Sequence, residues 1–233
     1  MTDRPWDKIF KKDNYIWHDP DPIVTSFIGH FEAGARLLDA GCGCGRHLIY
    51  AAKHDLKTTG LDESVTALLY AKKWVKSENK HCELIQGDFF SFPFIKHSFD
   101  AIIASYCLNH GKKQQIFNAF SEFSRVLSSD GELLVILNAH GDYREGIGER
   151  LEEGTYMILE GPEAYIPHHY ARIEFVKECL KFMASYTIKH QKDSIYDLEN
   201  KFGIKMQLRD HPLVKDQKDP CAAHWIIHAK LNR

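Results

Sequence analysis

A short glycine-rich segment follows an apolar run and precedes a helical pattern. It reads DAGCGCGR over residues 39–46, with glycines at the first, third and fifth positions of the loop. Where a buried strand turns sharply into a helix, only glycine lets a ligand come close to the backbone. A dinucleotide fingerprint places its glycines at the first, third and sixth positions, and here Arg46 holds the sixth place. The spacing therefore argues against a pyrophosphate site and predicts a different ligand.

Carboxylates follow two further apolar runs. Asp62 ends the run after the glycine loop, and a carboxylate there can accept hydrogen bonds from both hydroxyls of a ribose. Asp88 and Phe89 follow the third run, where they offer an acceptor for an adenine amino group and a ring to cover the base. Open α/β sheets bind ligands at the carboxyl ends of their strands. The three strand ends therefore predict an adenosine pocket.

Strand-length apolar runs alternate with helical periodicity, and these elements must position the pocket. Strands are predicted at residues 36–39, 57–61, 82–86, 100–104 and 132–138. Helices are predicted at residues 46–54, 64–76 and 112–127, with a loop at 89–98. A helix at 172–183 and strands at 186–192 and 222–231 complete the pattern. The alternation predicts an α/β fold with a doubly wound, mostly parallel seven-stranded sheet and helices on both faces.

Residues 39–45 resemble the D-x-G-x-G-x-G motif of the class I S-adenosylmethionine-dependent methyltransferases, a Rossmann-like family. The resemblance extends over about residues 36–140. It implies S-adenosylmethionine as the cofactor and methyl transfer as the activity. The cofactor-binding residues that it implies are Asp39, Gly41, Gly43, Arg46, Asp62, Asp88, Phe89 and Ser105. Arg46 either reaches the methionine carboxylate or faces solvent from the first turn of its helix.

Two flanking regions surround this core. Residues 1–35 are predicted to form an N-terminal helical cap, with helices at 3–12 and 22–31, before the methyltransferase domain at 36–233. Five glycines occur in residues 141–161. This composition is typical of a mobile cover, so residues 141–170 are predicted to form a lid or insertion over the acceptor site.

The acceptor site has several candidate residues. His110 follows the fourth strand and is either a general base, a hydrogen-bond partner of the acceptor, or a histidine that satisfies backbone groups. A base is needed only if the acceptor arrives protonated. Substrate contacts are predicted among Tyr15, Tyr143, His168, His169 and Tyr170. Adjacent side chains such as those of the two histidines diverge, so no metal site is predicted.

Composition narrows the partners. The 30 basic and 32 acidic residues give a formal charge of -2, which argues against nucleic acid and anionic membranes. No apolar stretch is long enough for a membrane span, and a cytoplasmic location is expected. The six dispersed cysteines favour reduced thiols. A small-molecule acceptor is therefore favoured, with an RNA or protein acceptor, or a non-catalytic S-adenosylmethionine-binding module, as the alternatives.

Overall fold

The computed structural model describes residues 4–11, 16–160, 164–202 and 210–231. A seven-stranded sheet forms its centre. Its strands are β1 Arg36–Ala40, β2 Lys57–Asp62, β3 Glu83–Gln86, β4 Phe99–Ser105, β5 Leu127–Asn138, β9 Ser185–Ser194 and β10 Cys221–Lys230. Their order across the sheet is β3-β2-β1-β4-β5-β10-β9. Strands β1 to β5 are parallel, and β10 runs antiparallel to both of its neighbours. The predicted doubly wound, mostly parallel sheet is confirmed.

Helices cover both faces of the sheet. They are α1 Pro5–Phe10, α2 Pro22–Ile28, α3 Arg46–Lys53, α4 Val65–Ser77, α5 Lys113–Val126, α6 Ile173–Cys179, α7 Ile195–Phe202 and α8 Pro212–Lys215. Side chains alternate across a strand, so Leu37 packs in the cluster that includes α2 and α3, whereas Leu38 packs in the cluster that includes α5 and α6. The predicted helices at 46–54, 64–76 and 112–127 match α3, α4 and α5 closely.

Side chains fix the starts of the helices that flank the site. Ser64 caps α4 by accepting a hydrogen bond from the Ala67 amide at 3.1 Å. Asp21 caps α2 by accepting one from Ile23 at 2.8 Å, with Pro22 in the first turn. These caps hold the N-terminal ends of both helices close to the carboxyl edge of the sheet.

The predicted lid contains a second sheet. Strands β6 Glu149–Glu152, β7 Thr155–Glu160 and β8 Ala164–His169 pair antiparallel in the order β6-β7-β8. The sequence analysis predicted no strands there, because the glycines dominate the composition and Pro167 interrupts the last run. Pro167 is tolerated because β8 is an edge strand.

The region between the last two strands of the central sheet was also not predicted. Helices α7 and α8 lie there, and Ile195 and Val214 pack with Tyr143 and Ala222. They therefore support the turn that precedes the small sheet. The six cysteines, all among the described residues, form no disulfide bonds in the structure. Among the residues that the structure describes, no helix has the length and apolar character of a membrane span.

Candidate active site

The glycine loop turns the end of β1 into α3. Gly41, Gly43 and Gly45 have φ angles of 70°, 52° and 94°, which favour glycine. A Cβ on Gly41 would lie 2.4 Å from Cβ of Cys107, so no side chain fits at this position. The Gly41 amide donates to the Leu61 carbonyl at 2.7 Å. The loop is thus held against the ends of β2 and β4 with its backbone uncovered by side chains of its own.

Asp62 holds the loop from the neighbouring strand. Its Oδ2 accepts a hydrogen bond from the Gly43 amide at 2.8 Å, and its Oδ1 accepts one from Ser64 at 2.9 Å. Burial raises the pKa of Asp62, while these two amides favour its charged form. Each carboxylate oxygen keeps a further acceptor position. Asp62 therefore anchors the loop and remains able to accept a ribose hydroxyl.

Asp39 lies below the loop and is almost fully buried. Its Oδ2 has no hydrogen-bond partner within the described part of the chain. Burial raises the pKa of Asp39 to about 7, with Arg46 opposing the shift. Arg46 is half-buried, and its Nη1 donates a hydrogen bond to the Asp19 carbonyl at 3.4 Å. The contact of Arg46 with the methionine carboxylate stays a prediction.

The third strand end has one buried and one exposed residue. Phe89 is buried, and its ring lies 3.8 Å from the position of a Cβ on Gly41. Asp88 is exposed, and its Oδ1 accepts a hydrogen bond from the Phe90 amide at 2.8 Å. Phe89 therefore borders the glycine loop, while Asp88 lies at the solvent side of this edge.

The end of β4 contributes a strained residue that the sequence analysis did not single out. Tyr106 has a φ of 58°, a left-handed conformation that is unusual for an aromatic residue. Its ring packs edge-on against His224 at 5.0 Å. The hydroxyl oxygen of the preceding Ser105 is buried and has no hydrogen-bond partner among the described residues. No sequence signal marks this turn, because neither glycine nor asparagine occupies the left-handed position.

Helix α1 covers the site. The Phe10 ring lies 3.4 Å from the position of a Cβ on Gly43, and Trp6 packs edge-on against His110 at 4.7 Å. Asp7 accepts hydrogen bonds from the Ser64 hydroxyl at 2.8 Å and from the Thr66 amide at 2.9 Å. Tyr15, which was predicted to contact the substrate, lies outside the described residues.

His110 and His168 meet beyond the end of β4. Their rings pack edge-on at 4.7 Å, and Nδ1 of each is buried without a hydrogen-bond partner in the described chain. Nε2 of His168 lies 3.2 Å from Oε2 of Glu160. Burial lowers the pKa of both histidines, that of His110 to well below its usual value. Two uncharged imidazoles therefore face each other inside the protein.

A buried ion pair lies on the same side. Nε of Arg144 is 3.2 Å from Oδ1 of Asp142, and the guanidinium lies over the Tyr143 ring at 5.4 Å. Asp142 also accepts a hydrogen bond from the Ala223 amide at 3.0 Å. The Tyr170 hydroxyl is buried without a hydrogen-bond partner among the described residues. The sequence analysis missed Asp142, Arg144 and Glu160, because only the chain fold brings them to the two histidines.

His169 is placed differently from His168. Its Nδ1 lies 2.8 Å from the Thr155 hydroxyl, and its ring packs against Phe175 at 5.3 Å. Burial lowers the pKa of His169 to about 4. Successive residues of a strand point to opposite faces, so His169 faces α6 while His168 faces His110.

Comparisons with known proteins identify the domain. Residues 37–131 match a family model described as a methyltransferase domain. The probable tRNA methyltransferase 9B of Homo sapiens is 30% identical over 115 residues, or 49% of this chain and 24% of that protein. A demethylmenaquinone methyltransferase of Tropheryma whipplei is 34% identical over 140 residues, or 57% of this chain and 56% of that protein. The alignments thus span about a quarter and just over half of these relatives.

A solved S-adenosylmethionine-dependent methyltransferase of Methanosarcina mazei superposes with a TM-score of 0.65 at 18% identity, over 91% of this chain and 98% of that structure. The chain therefore carries a methyltransferase domain, and its fold is that of a solved S-adenosylmethionine-dependent methyltransferase. The predicted family and cofactor are therefore confirmed. The prediction that disfavoured nucleic acid is not supported, since one relative is named as a tRNA methyltransferase.

The residues present fit S-adenosylmethionine. Gly41 and Gly43 adopt positive φ angles, and a Cβ on Gly41 would clash with Cys107, so the loop offers backbone without side chains of its own. Buried oxygens of Asp39 and Ser105 lack hydrogen-bond partners in the described chain. Buried polar atoms are normally satisfied, so these positions are suited to a polar ligand. The two sets of atoms come from the loop after β1 and from the end of β4, which are adjacent strands.

Proposed function

We propose that this protein transfers the methyl group of S-adenosylmethionine to a small-molecule acceptor bound beyond the end of β4. The observation that carries the proposal is the convergence of the Gly41–Gly43 backbone, the Asp62 carboxylate and the Ser105 hydroxyl, which has no hydrogen-bond partner among the described residues, at one edge of the sheet. The family match over residues 37–131 covers the elements that carry all of them.

Each strand end has a role in this proposal. Gly41 and Gly43 pass close to the methionine portion of the cofactor, with Ser105 beside it and Arg46 reaching its carboxylate. Asp62 accepts the ribose hydroxyls. Asp88 and Phe89 hold the adenine, and Asp39 supports the loop from below. When bound, the cofactor supplies an electrophilic methyl group on a sulfonium sulfur.

The chain itself contributes positioning and exclusion of water. Trp6 and Phe10 of α1 lie over the glycine loop and His110, so the cover is aromatic where the methyl group would be transferred. Fixing two reactants in a reactive geometry is worth about 7–11 kcal/mol of the barrier in well-oriented systems. Positioning of this kind can therefore supply most of the rate.

The cover favours a compact acceptor. Helix α1 and strand β8 close over the histidines, and Ile9 of α1 packs with Ala164 and Ile166 of β8. An RNA acceptor is the second candidate, supported by the relative named as a probable tRNA methyltransferase. A nucleotide would reach His110 only after displacing part of this cover, which a small metabolite that enters with the cofactor does not need to do.

Two measurements test the proposal. Calorimetry should show S-adenosylmethionine or S-adenosylhomocysteine binding at one site per chain, and preferential binding of a nicotinamide dinucleotide would refute the cofactor assignment. The purified protein should then transfer labelled methyl groups to a compound in a low-molecular-weight cell extract. Transfer only to tRNA or to protein would refute the small-molecule acceptor, and cofactor binding without any transfer would indicate a non-catalytic module.

A further inference from the structure

The carboxamide of Asn138, the last residue of β5, is buried without a partner. Asn138 is 1% exposed, and neither its Oδ1 nor its Nδ2 has a hydrogen-bond partner within the described part of the chain. The large majority of buried side-chain polar atoms in proteins are paired, and an unpaired one is destabilising. A carboxamide with both atoms unpaired, at the edge of the sheet where ligands bind, is therefore suited to contact a ligand.

The backbone of Asn138 is fixed from two sides. Its amide donates a hydrogen bond to Oδ1 of Asn109 at 3.0 Å, and its carbonyl accepts one from the Ala171 amide at 2.9 Å. Asn109 follows β4 along the chain, and Ala171 follows β8. Both hydrogen bonds go to the backbone of Asn138, so they hold the residue in place without using its carboxamide. A group held in this way binds a ligand without first having to be ordered.

Asn138 and Ser105 lie on the same face of the sheet. The residues two and four positions before each of them pack in the cluster that includes α2 and α3, and side chains alternate along a strand. His224 pairs directly with Asn138, and its ring packs at 5.0 Å against Tyr106, which follows Ser105. Strand β4 lies between β1 and β5. The carboxamide is therefore one strand beyond Ser105, on the side away from the glycine loop, where the methyl acceptor is expected.

The two unpaired atoms restrict the chemistry of a ligand. A carboxamide presents a hydrogen-bond acceptor and a hydrogen-bond donor side by side. A ligand carboxylate would pair with Nδ2 of Asn138 and leave Oδ1 unpaired, and an ammonium group would do the reverse. An amide, or a heterocycle with a ring N–H beside a carbonyl, pairs with both atoms at once, as asparagine does with the edge of adenine. Because unpaired polar atoms in a closed site strongly disfavour a ligand, the site selects an amide-type group.

We propose that Asn138 determines the specificity of methyl transfer by binding an amide-type group of the methyl acceptor, in which an N–H lies beside a carbonyl. The two hydrogen bonds hold the methyl acceptor beyond the end of β4. Asn138 carries no charge and moves no proton, so its role is recognition. This inference rests on the proposed function, because it concerns the acceptor site of the same reaction.

Binding of an amide-type group can be measured before the methyl acceptor is known. NMR of asparagine-labelled protein saturated with S-adenosylhomocysteine reports the side-chain amide of Asn138, and the signal is assigned by its loss in Asn138→Ala. Acetamide should shift this signal, whereas acetate should not. No shift with acetamide, or equal shifts with the two probes, would overturn the proposal.

Turnover measures the same contact with the methyl acceptor found in the cell extract. Asn138→Ala should raise KM for that compound about 10- to 100-fold, the effect of two neutral hydrogen bonds. The kcat should stay at the wild-type value, because the contact is equal in the ground state and the transition state. Affinity for S-adenosylhomocysteine should also be unchanged. Asn118→Ala, at an exposed asparagine of α5, is the matched control and should keep the wild-type KM.

The stability of the free protein separates recognition from a structural role. Asn138→Leu removes the polar atoms at a similar volume and should unfold at the wild-type temperature or above it, because it removes an unpaired buried amide. A lower unfolding temperature in both Asn138→Leu and Asn138→Ala would show that the carboxamide supports the fold, and would overturn the proposal.

Two kinetic outcomes would also overturn the assignment: a wild-type KM in Asn138→Ala, or a methyl acceptor that has no amide-type group. If the wild-type protein binds the cofactor but methylates no small molecule, the proposed function fails. The acetamide measurement separates that failure from a wrong assignment of Asn138, because it requires no turnover.

Discussion

Replacing Asp39 with asparagine should stabilise the free protein in a way that grows with pH. Burial raises the pKa of Asp39 to about 7, against a reference value of 3.8, which is a shift of about three units. At about 1.4 kcal/mol per unit, ionising this carboxyl in the folded protein costs about 4 kcal/mol relative to the unfolded chain. Because the folded pKa is the higher one, stability is fully present below pH 4 and is lost as pH rises to 7. Asparagine has no charge and avoids this loss.

Urea unfolding at intervals between pH 5 and pH 8 measures the effect. The free energy of unfolding of Asp39→Asn should exceed that of the wild type by an amount that increases with pH and levels off near 4 kcal/mol above pH 7. Asp88→Asn, which removes an exposed carboxylate from the same sheet edge, is the matched control for the substitution itself. A destabilised Asp39→Asn, or a gain independent of pH, would refute the reasoning from burial.

Three further predictions concern the ligands. Asp62→Ala should weaken binding of S-adenosylhomocysteine by about 1.5 to 3 kcal/mol, the range for hydrogen bonds to a charged group. An unchanged affinity in calorimetry would show that Asp62 does not contact the ligand. Proteolysis within residues 141–170 should slow when S-adenosylhomocysteine and acceptor are present, whereas cutting that ignores ligands would indicate a plain surface segment. His110→Asn should slow turnover only about tenfold, the effect of one lost neutral hydrogen bond, and loss of the acidic, rising limb of the pH profile would instead identify His110 as a general base.

The core of the fold was predictable because its signals are local. Each strand from β1 to β5 contains apolar residues in a short run, and each helix between them repeats apolar residues at three- and four-residue spacings. The glycine loop and Asp62 could be placed because a strand end followed by a helix fixes their surroundings. Each of these residues lies at the end of the strand that positions it, or directly after it along the chain.

The acceptor side was not predictable in the same way, because its contacts join distant segments. The Ala223 amide of β10 holds Asp142, and His168 of β8 meets His110 after β4. None of these pairs follows a helical or strand period. Tyr106 shows the same limit for the backbone, since its positive φ is imposed by the surroundings and not by its residue type.

The access of ligands to the glycine loop depends on how firmly α1 is held. Six residues are too few to form a stable helix alone, so α1 depends on its contacts with the rest of the protein. Fixing six backbones costs about 6–12 kcal/mol. Two hydrogen bonds to Asp7 contribute about 3–6 kcal/mol. Complete burial of Ile9 adds about 1.5–3 kcal/mol, and Trp6 and Phe10 contribute less because they are only partly buried. These terms nearly cancel, so α1 is held to the rest of the protein far more weakly than the strands of the sheet are held to one another.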